Sequence, residues 1–213
     1  MVDNFDQIIG LINISTSSHI EEKNDIYYHL QIIKRSKDTG EGANSICLKA
    51  YQIDEEHPIS KYQEDIINLC ERFKARAYIN LSPKSKRATA VQMLNSLADC
   101  FRQNNFQYLN RIWNTAAGQV GAVEKFWVID CDYSEDFRDR DIAQMATFID
   151  RECQPLDRVK YISCIPTKNG KHLITTPFDL RHFREVYPNT DVHKNNPTVL
   201  YIPKSLDNEN KQI

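Results

Sequence analysis

The sequence predicts an α+β protein in two parts, an N-terminal α/β module of order ββαβα packed on a C-terminal core of order βαββαβ. Two observations carry this. Stretches where apolar and polar residues alternate with period two are interleaved with stretches whose apolar residues recur at i, i+3, i+4 and i+7, and their order of succession changes near residue 123. A third observation bounds the size: 213 residues with 41% hydrophobic content suffice for one large domain or two closely packed lobes.

In chain order, residues 3–13 read as a short helix followed by a Ser/Thr/Asn-rich loop through Ser18. Ile26 to Lys34 and Ser45 to Ile53, rich in Tyr, Ile and Leu, read as a hairpin with a mobile tip at Ser36 to Asn44. Pro58 opens a helix that sets Ile59, Tyr62, Ile66, Leu69, Cys70 and Phe73 on one face. Ala75 to Leu81 returns to strand alternation. Its polar face, Arg76, Tyr78 and Asn80, is expected to line a cleft, and Ser82-Pro83 to end the strand. Thr89 to Phe101 follows as a second amphipathic helix. Asn104 to Val123, with the small-residue stretch Ala116 to Ala122, reads as a connection between lobes.

From Lys125 the order is strand 125–131, helix 137–152, strand 158–164, a turn at Lys168-Asn169-Gly170, strand 171–176, helix 179–186 and strand 198–202. This is the ferredoxin-like split βαβ arrangement, which places its first and third strands side by side in the centre. The expected organisation is therefore 1–123 as the N-terminal module, 124–205 as the core and 206–213 as a polar, frayed tail.

Charge and composition exclude several classes. With 27 basic and 29 acidic residues and a net charge of −2, no overall positive field advertises nucleic-acid binding, and any polyanion site must be local. The six cysteines form no Cys-x-x-Cys pair and no Cys/His cluster at zinc spacing. They read as reduced thiols, mostly in the core. The N-terminal Met-Val-Asp-Asn-Phe-Asp is acidic where a secretory signal is basic, and the run Ile8 to Ile14 is too short to span a bilayer. The expectation is a cytoplasmic protein without membrane contact.

Chemistry concentrates after Phe126-Trp127-Val128-Ile129, where an apolar strand ends in Asp130-Cys131-Asp132. The two aspartates share one strand face, about 7 Å apart. Carboxylates so placed repel, raising each other's pKa unless a cation holds them, so the pair is either a solvated strand end or a metal site. The topology brings more to the same rim. The third strand opens with Gly170-Lys171-His172 beside the end of the first, and the start of the fourth, Asp191-Val192-His193-Lys194, approaches from the other side.

Taken in that order, Ile129-Asp130-Cys131-Asp132, Gly170-Lys171-His172 and Asp191 resemble the motifs of the archaeo-eukaryotic primase superfamily, the primase-polymerases, over residues 125–202. The resemblance implies an RRM-like catalytic core and metal-dependent nucleotidyl transfer. It implies Asp130, Asp132 and Asp191 as ligands of Mg²⁺ or Mn²⁺, with His172 on the phosphates of the incoming nucleotide. Lys168, Lys171 and Lys194 would add positive field, and Arg76 would close the cleft from the first lobe. Implied partners are nucleoside triphosphates, single-stranded or primed nucleic acid, and a replication protein such as a helicase, a domain this chain lacks. Lys84, Lys86 and Arg87 read equally as template guides or as a solvated helix start. Two features depart from the family pattern: Thr190 stands where an apolar residue normally precedes the third carboxylate, and no cysteines suit a zinc element.

Two rival classes use the same residues differently. One is another metal-dependent phosphotransferase or nuclease. The other is a non-catalytic RRM-like sheet that stacks RNA bases, against which Lys171 to Thr176 lacks the aromatic pattern such sheets use.

Overall fold

A computed structural model describes residues 1–18, 23–39 and 44–206. In chain order the elements are β1 (Val2–Asp3), α1 (Phe5–Ser18), β2 (Ile26–Lys34), α2 (Ser36–Thr39), β3 (Ile46–Ile53), α3 (Ile59–Phe73), β4 (Arg76–Ser85), α4 (Lys86–Arg102) and α5 (Ile112–Gln119), then β5 (Trp127–Asp132), α6 (Asp139–Glu152), β6 (Tyr161–Pro166), β7 (Gly170–Thr175), α7 (Leu180–Val186), β8 (Asp191–His193) and β9 (Thr198–Ile202). The protein is a mixed α+β fold with two antiparallel sheets, ordered β1-β9-β4-β2-β3 and β6-β7-β5-β8.

Local chemistry explains most boundaries. Helix α3 buries Ile59, Ile66 and Cys70, and it stops at Lys74, which takes the left-handed conformation (φ 49°) and donates its backbone N–H to the Cys70 carbonyl. Ser85 caps α4 by accepting from the Ala88 N–H. In α6 the spacing of Ile142, Met145, Ala146 and Ile149 turns one stripe into the core. That stripe meets Trp127, Ile129 and Cys131 from β5, together with Phe178 and Phe183. The alternation of β5 thus sends one face to the helices and leaves Val128, Asp130 and Asp132 on the other.

Several expected features take a different form. Strand β4 continues through Pro83 to Ser85 instead of ending at Ser82. Its pairing with β2 is irregular between Tyr27 and His29, the kind of interruption where a residue without an N–H costs no ladder bond. Helix α1 extends through Ser18, beyond the expected end at residue 13. The small-residue stretch after Trp113 is largely helix α5, whose Ala116 and Ala117 are fully buried. The expected hairpin tip begins with α2, while residues 40–43 lie outside the described residues, as does the tail from 207; Leu206 itself is buried. Of the cysteines, Cys70, Cys131 and Cys153 are buried, Cys100 and Cys164 half-buried, and Cys47 is exposed on edge strand β3; all six are free thiols.

The largest difference concerns residues 198–202. They do not form the fourth strand beside β5. That place belongs to the short β8, and β9 enters the other sheet between β1 and β4. All five residues of β9 are buried, so the segment needs neighbours on both edges and cover on both faces, which the first sheet supplies. The two sheets also share a core: Val128, Ile165 and Ile174 pack in one cluster with Leu30, Ile32, Ile79 and Leu200. Asn4 clamps the junction, donating to the carbonyls of Pro166 (2.9 Å) and Val199 (3.0 Å). Among the described residues no helix is long and apolar enough to cross a membrane.

Candidate functional site

Where the sheets diverge, a cleft of about 740 Å³ opens between them. One wall is the face of the second sheet turned away from its helices. Register fixes it: Asp130 lies directly opposite His172 on β7 and directly opposite Asp191 on β8, while Val128 lies opposite His193. Directly paired residues of antiparallel strands share a face, so Asp130, His172, Asp191 and His193 stand together, and Asp132 follows two residues on. The other wall comes from the first sheet, where Ile33 pairs with Arg76 and Gln31 with Tyr78. Arg35, Lys37, Asp38, Arg76 and Tyr78 line it, and Lys168 and Asn169 close the end.

Gly170 sets how closely β7 approaches the acidic strand. A Cβ there would overlap the Cys131 carbonyl and the Asp132 Cα, so only glycine allows this spacing beside Asp132. The turn before it centres on Lys168-Asn169, closed by Thr167 N–H to the Gly170 carbonyl (2.9 Å), and Gly170 N–H donates to Thr167 Oγ1 at 3.1 Å.

The electrostatics are asymmetric. Asp130 is raised above the ordinary carboxylate range, first by burial and then by Asp132, with Asp191 adding to the rise while His193 and Arg35 oppose it. His172 is held down to about 4, chiefly by burial and further by His193. It is therefore neutral at pH 7. Its Nε2 stands 3.6 Å from Asp130 Oδ1, beyond hydrogen-bond range, and the contact is no ion pair while the ring is neutral. Its Nδ1 shares a 2.9 Å hydrogen bond with Thr198 Oγ1, which fixes the ring plane from β9. Across the cleft, Arg35 donates to Tyr78 Oη (3.3 Å), and Arg76 pairs with Asp38. Both members of that pair are nine-tenths buried. Arg76 Nε and Asp38 Oδ2 lack hydrogen-bond partners among the described residues, which leaves one strong donor pointing into a buried wall without an acceptor.

Of the residues singled out in the sequence, Asp130, Asp132, His172, Arg76 and Lys168 line this cleft. Asp191 is exposed beside Asp130 and outside the lining. Lys171 and Lys194 are not in it. Lys171 pairs with Cys131 and so faces the helices, bridging Asp139 at 2.9 Å; Lys194 lies over the Trp127 ring, 5.0 Å from its centroid. Lys84 is buried and donates to the Val120 carbonyl (2.7 Å), and Lys86 pairs with Asp54 (2.8 Å). Neither is positioned to guide a strand. Arg35, Lys37, Asp38 and His193 were not singled out. Strand alternation from Ile33 to Arg35 and from Asp191 to His193 carries the signal of Arg35 and His193, once the neighbours of β2 and β8 are known; Lys37 and Asp38 sit on the short helix α2, where alternation does not apply.

An acidic face of oxygen donors, with Asp130 raised by burial and by the charges of Asp132 and Asp191, suits a hard divalent cation. Asp130, Asp132 and Asp191 are the residues that would hold it, although among the described residues no group of three or more His, Cys, Asp and Glu stands close enough to form a ready-made ligand set. Against this geometry, no family model, curated protein or solved structure matches the chain.

Proposed function

We propose that the protein is a metal-dependent nucleotidyltransferase of primase-polymerase type, adding nucleotides to a nucleic-acid strand in this cleft. The observation that carries the reading is the cross-strand row Asp191, Asp130 and His172, with Asp132 beside it, facing the basic wall of Arg35, Lys37 and Arg76. The strand order β6-β7-β5-β8 corresponds to the split βαβ order with β8 as the fourth strand, which supports an RRM-like core for the acidic half.

Each group then has a task. Bound Mg²⁺ or Mn²⁺ would lower the charge of the reacting phosphate and favour ionisation of an attacking hydroxyl. Asp130 and Asp132, with Asp191 adjacent, supply the anionic oxygens that would retain such an ion. Neutral His172, oriented by Thr198, offers Nε2 toward the phosphate region without adding charge there. Arg35, Lys37, Arg76 and Lys168 are the cations of the cleft lining suited to the triphosphate. The stacking mode of RRM-like RNA-binding sheets fits less well, because Val128, Ile165 and Ile174 on the corresponding face are buried against the other sheet.

The test is incubation with Mn²⁺, labelled nucleoside triphosphates and a primed single-stranded template, for the wild type and Asp130→Asn. Extension that falls on the order of 100-fold or more in the variant supports the proposal. Cleavage of the template in its place assigns the cleft to phosphodiester hydrolysis, and no metal-dependent reaction of either kind overturns the enzymatic reading.

A further inference from the structure

A second surface carries chemistry that the cleft does not use. The 52 residues from Arg72 to Val123 contain eight Lys and Arg and one acid, Asp99, in a chain whose totals are 27 and 29. This segment is the basic part of an otherwise acidic protein. Within it, the end of α4 and the following turn expose three rings: Phe101 at 66%, Phe106 at 42% and Tyr108 at 53%. Phe101 and Phe106 meet edge to face with centroids 5.4 Å apart.

These rings stand on ordered backbone. Asn105 N–H bonds the Cys100 carbonyl at 3.0 Å, Leu109 N–H bonds that of Phe106 at 3.3 Å and Arg111 N–H that of Tyr108 at 2.9 Å. Exposed Arg102 and Arg111 flank them; Arg102 pairs with Asp99 at 3.0 Å yet keeps a 73% exposed side chain. Between them stand five amides, Gln103, Asn104, Asn105, Gln107 and Asn110, and the exposed Leu109. No acid occurs from Cys100 to Val123.

Exposed rings spaced by amides and arginines, in the basic part of the chain, match the demands of unpaired bases on a charged backbone, which stack on π-faces and are sequence-tolerant. The charge available at the rings is that of Arg102 and Arg111, since Arg76, Lys84 and Lys86 are buried or paired elsewhere; it suits a polyanion better than an uncharged partner. The polar face of β4 continues from Arg76 in the cleft through Tyr78 to Asn80, whose strand partner His29 meets Trp113 of α5 edge-on at 4.9 Å. Trp113 therefore borders the sheet face that lines the cleft.

We propose that residues 101–111 form a stacking platform for single-stranded nucleic acid, a surface that stands independently of the function proposed above. The probe is a labelled oligothymidine of about 20 nucleotides, enough to span one such site, followed by fluorescence anisotropy in EDTA without nucleotide. The wild type should bind with an affinity that falls as salt rises. The double variant Phe101→Ala/Tyr108→Ala should bind at least ~10-fold more weakly, Tyr108→Phe like the wild type, and an abasic strand of equal length as weakly as the double variant. Both substituted side chains are exposed, and an unchanged melting temperature checks that the variant is folded. Equal binding by the double variant, or equal affinity for the abasic strand, overturns the platform. So does a wild-type dimer that Phe101→Ala dissociates, which assigns the rings to self-association. Ring-dependent binding without metal-dependent extension keeps the platform and removes the polymerase reading; extension with ring-independent binding does the reverse.

Discussion

His172 is the residue whose environment makes the clearest demand. Burial holds its imidazole at about 4, below the ordinary 6.5, so between those two values the unfolded chain takes up a proton that the folded chain refuses. Stability from this group is fully present above pH 6.5 and is lost as pH falls toward 4, by about 3 kcal/mol in all. In metal-free buffer, His172→Gln should therefore show a smaller fall in melting temperature between pH 7 and pH 4.5 than the wild type. A remainder persists, because burial also lowers His29. Asp130 acts with the opposite sign. Its raised pKa means that the folded state prefers the protonated carboxyl, so its penalty is present above the folded pKa and is relieved on acidification. Asp130→Asn removes that penalty at pH 7, and the variant should melt higher than the wild type in EDTA; if the proposed metal binds, Mn²⁺ should raise the melting temperature of the wild type and not that of the variant. A variant that melts lower in EDTA would show that Asp130 is stabilised by its neighbours and is no strained ligand.

At the scale of elements, the approach of β7 to β5 rests on Gly170. Replacing it with alanine forces a Cβ against the backbone of Cys131 and Asp132, and the two strands must part. A loss of about 1–3 kcal/mol in urea denaturation is expected, together with weaker metal binding because Asp132 moves. Lys160 holds the connection from α6 to β6 in the same way. Fully buried, it donates to the carbonyls of Asp150 (2.8 Å), Pro155 (2.8 Å) and Arg158 (3.2 Å). Lys160→Met strands those acceptors and should cost about 3 kcal/mol or more in the same assay. The sequence made the Asp130 and His172 pair legible because period-two alternation and the split βαβ order together decide which residues of β5 and β7 are neighbours; Asp191, expected at the entry of a strand at 198–202, reaches the row on the separate short strand β8. The same alternation turns Lys171 away once His172 faces the cleft; proximity in sequence was a poorer guide than parity. Lys194 belongs with it, as a cation drawn onto the face of Trp127. The destination of β9 was not legible. Thr198 to Ile202 is buried on both faces and has no alternation to read, and the choice of sheet depends on edges 120 residues away in the chain.

For the molecule as a whole, β9 is what joins the halves. Its placement between β1 and β4 means that the acidic sheet is closed off by a strand of the other sheet, and Thr198 on that strand holds the His172 ring. Val128, Ile165 and Ile174 pack into the core of the first sheet, so neither sheet can lose its packing while the other keeps it. The two tryptophans report on the two sides. Trp113 packs against Tyr27 and His29 of β2, with centroids 6.1 and 4.9 Å away, whereas Trp127 packs against Phe178 at 5.4 Å in the helical core of the second sheet. Trp113→Phe and Trp127→Phe each leave a single fluorescent reporter, one per side. Both reporters should give the same urea midpoint when each is compared with far-UV circular dichroism of the same variant, the signature of one cooperative transition. A Trp127 signal that is lost before the Trp113 signal and the circular dichroism would instead make the acidic sheet a separately unfolding unit, and the cleft would then be a boundary that can open, with Arg35 and Arg76 moving relative to Asp130.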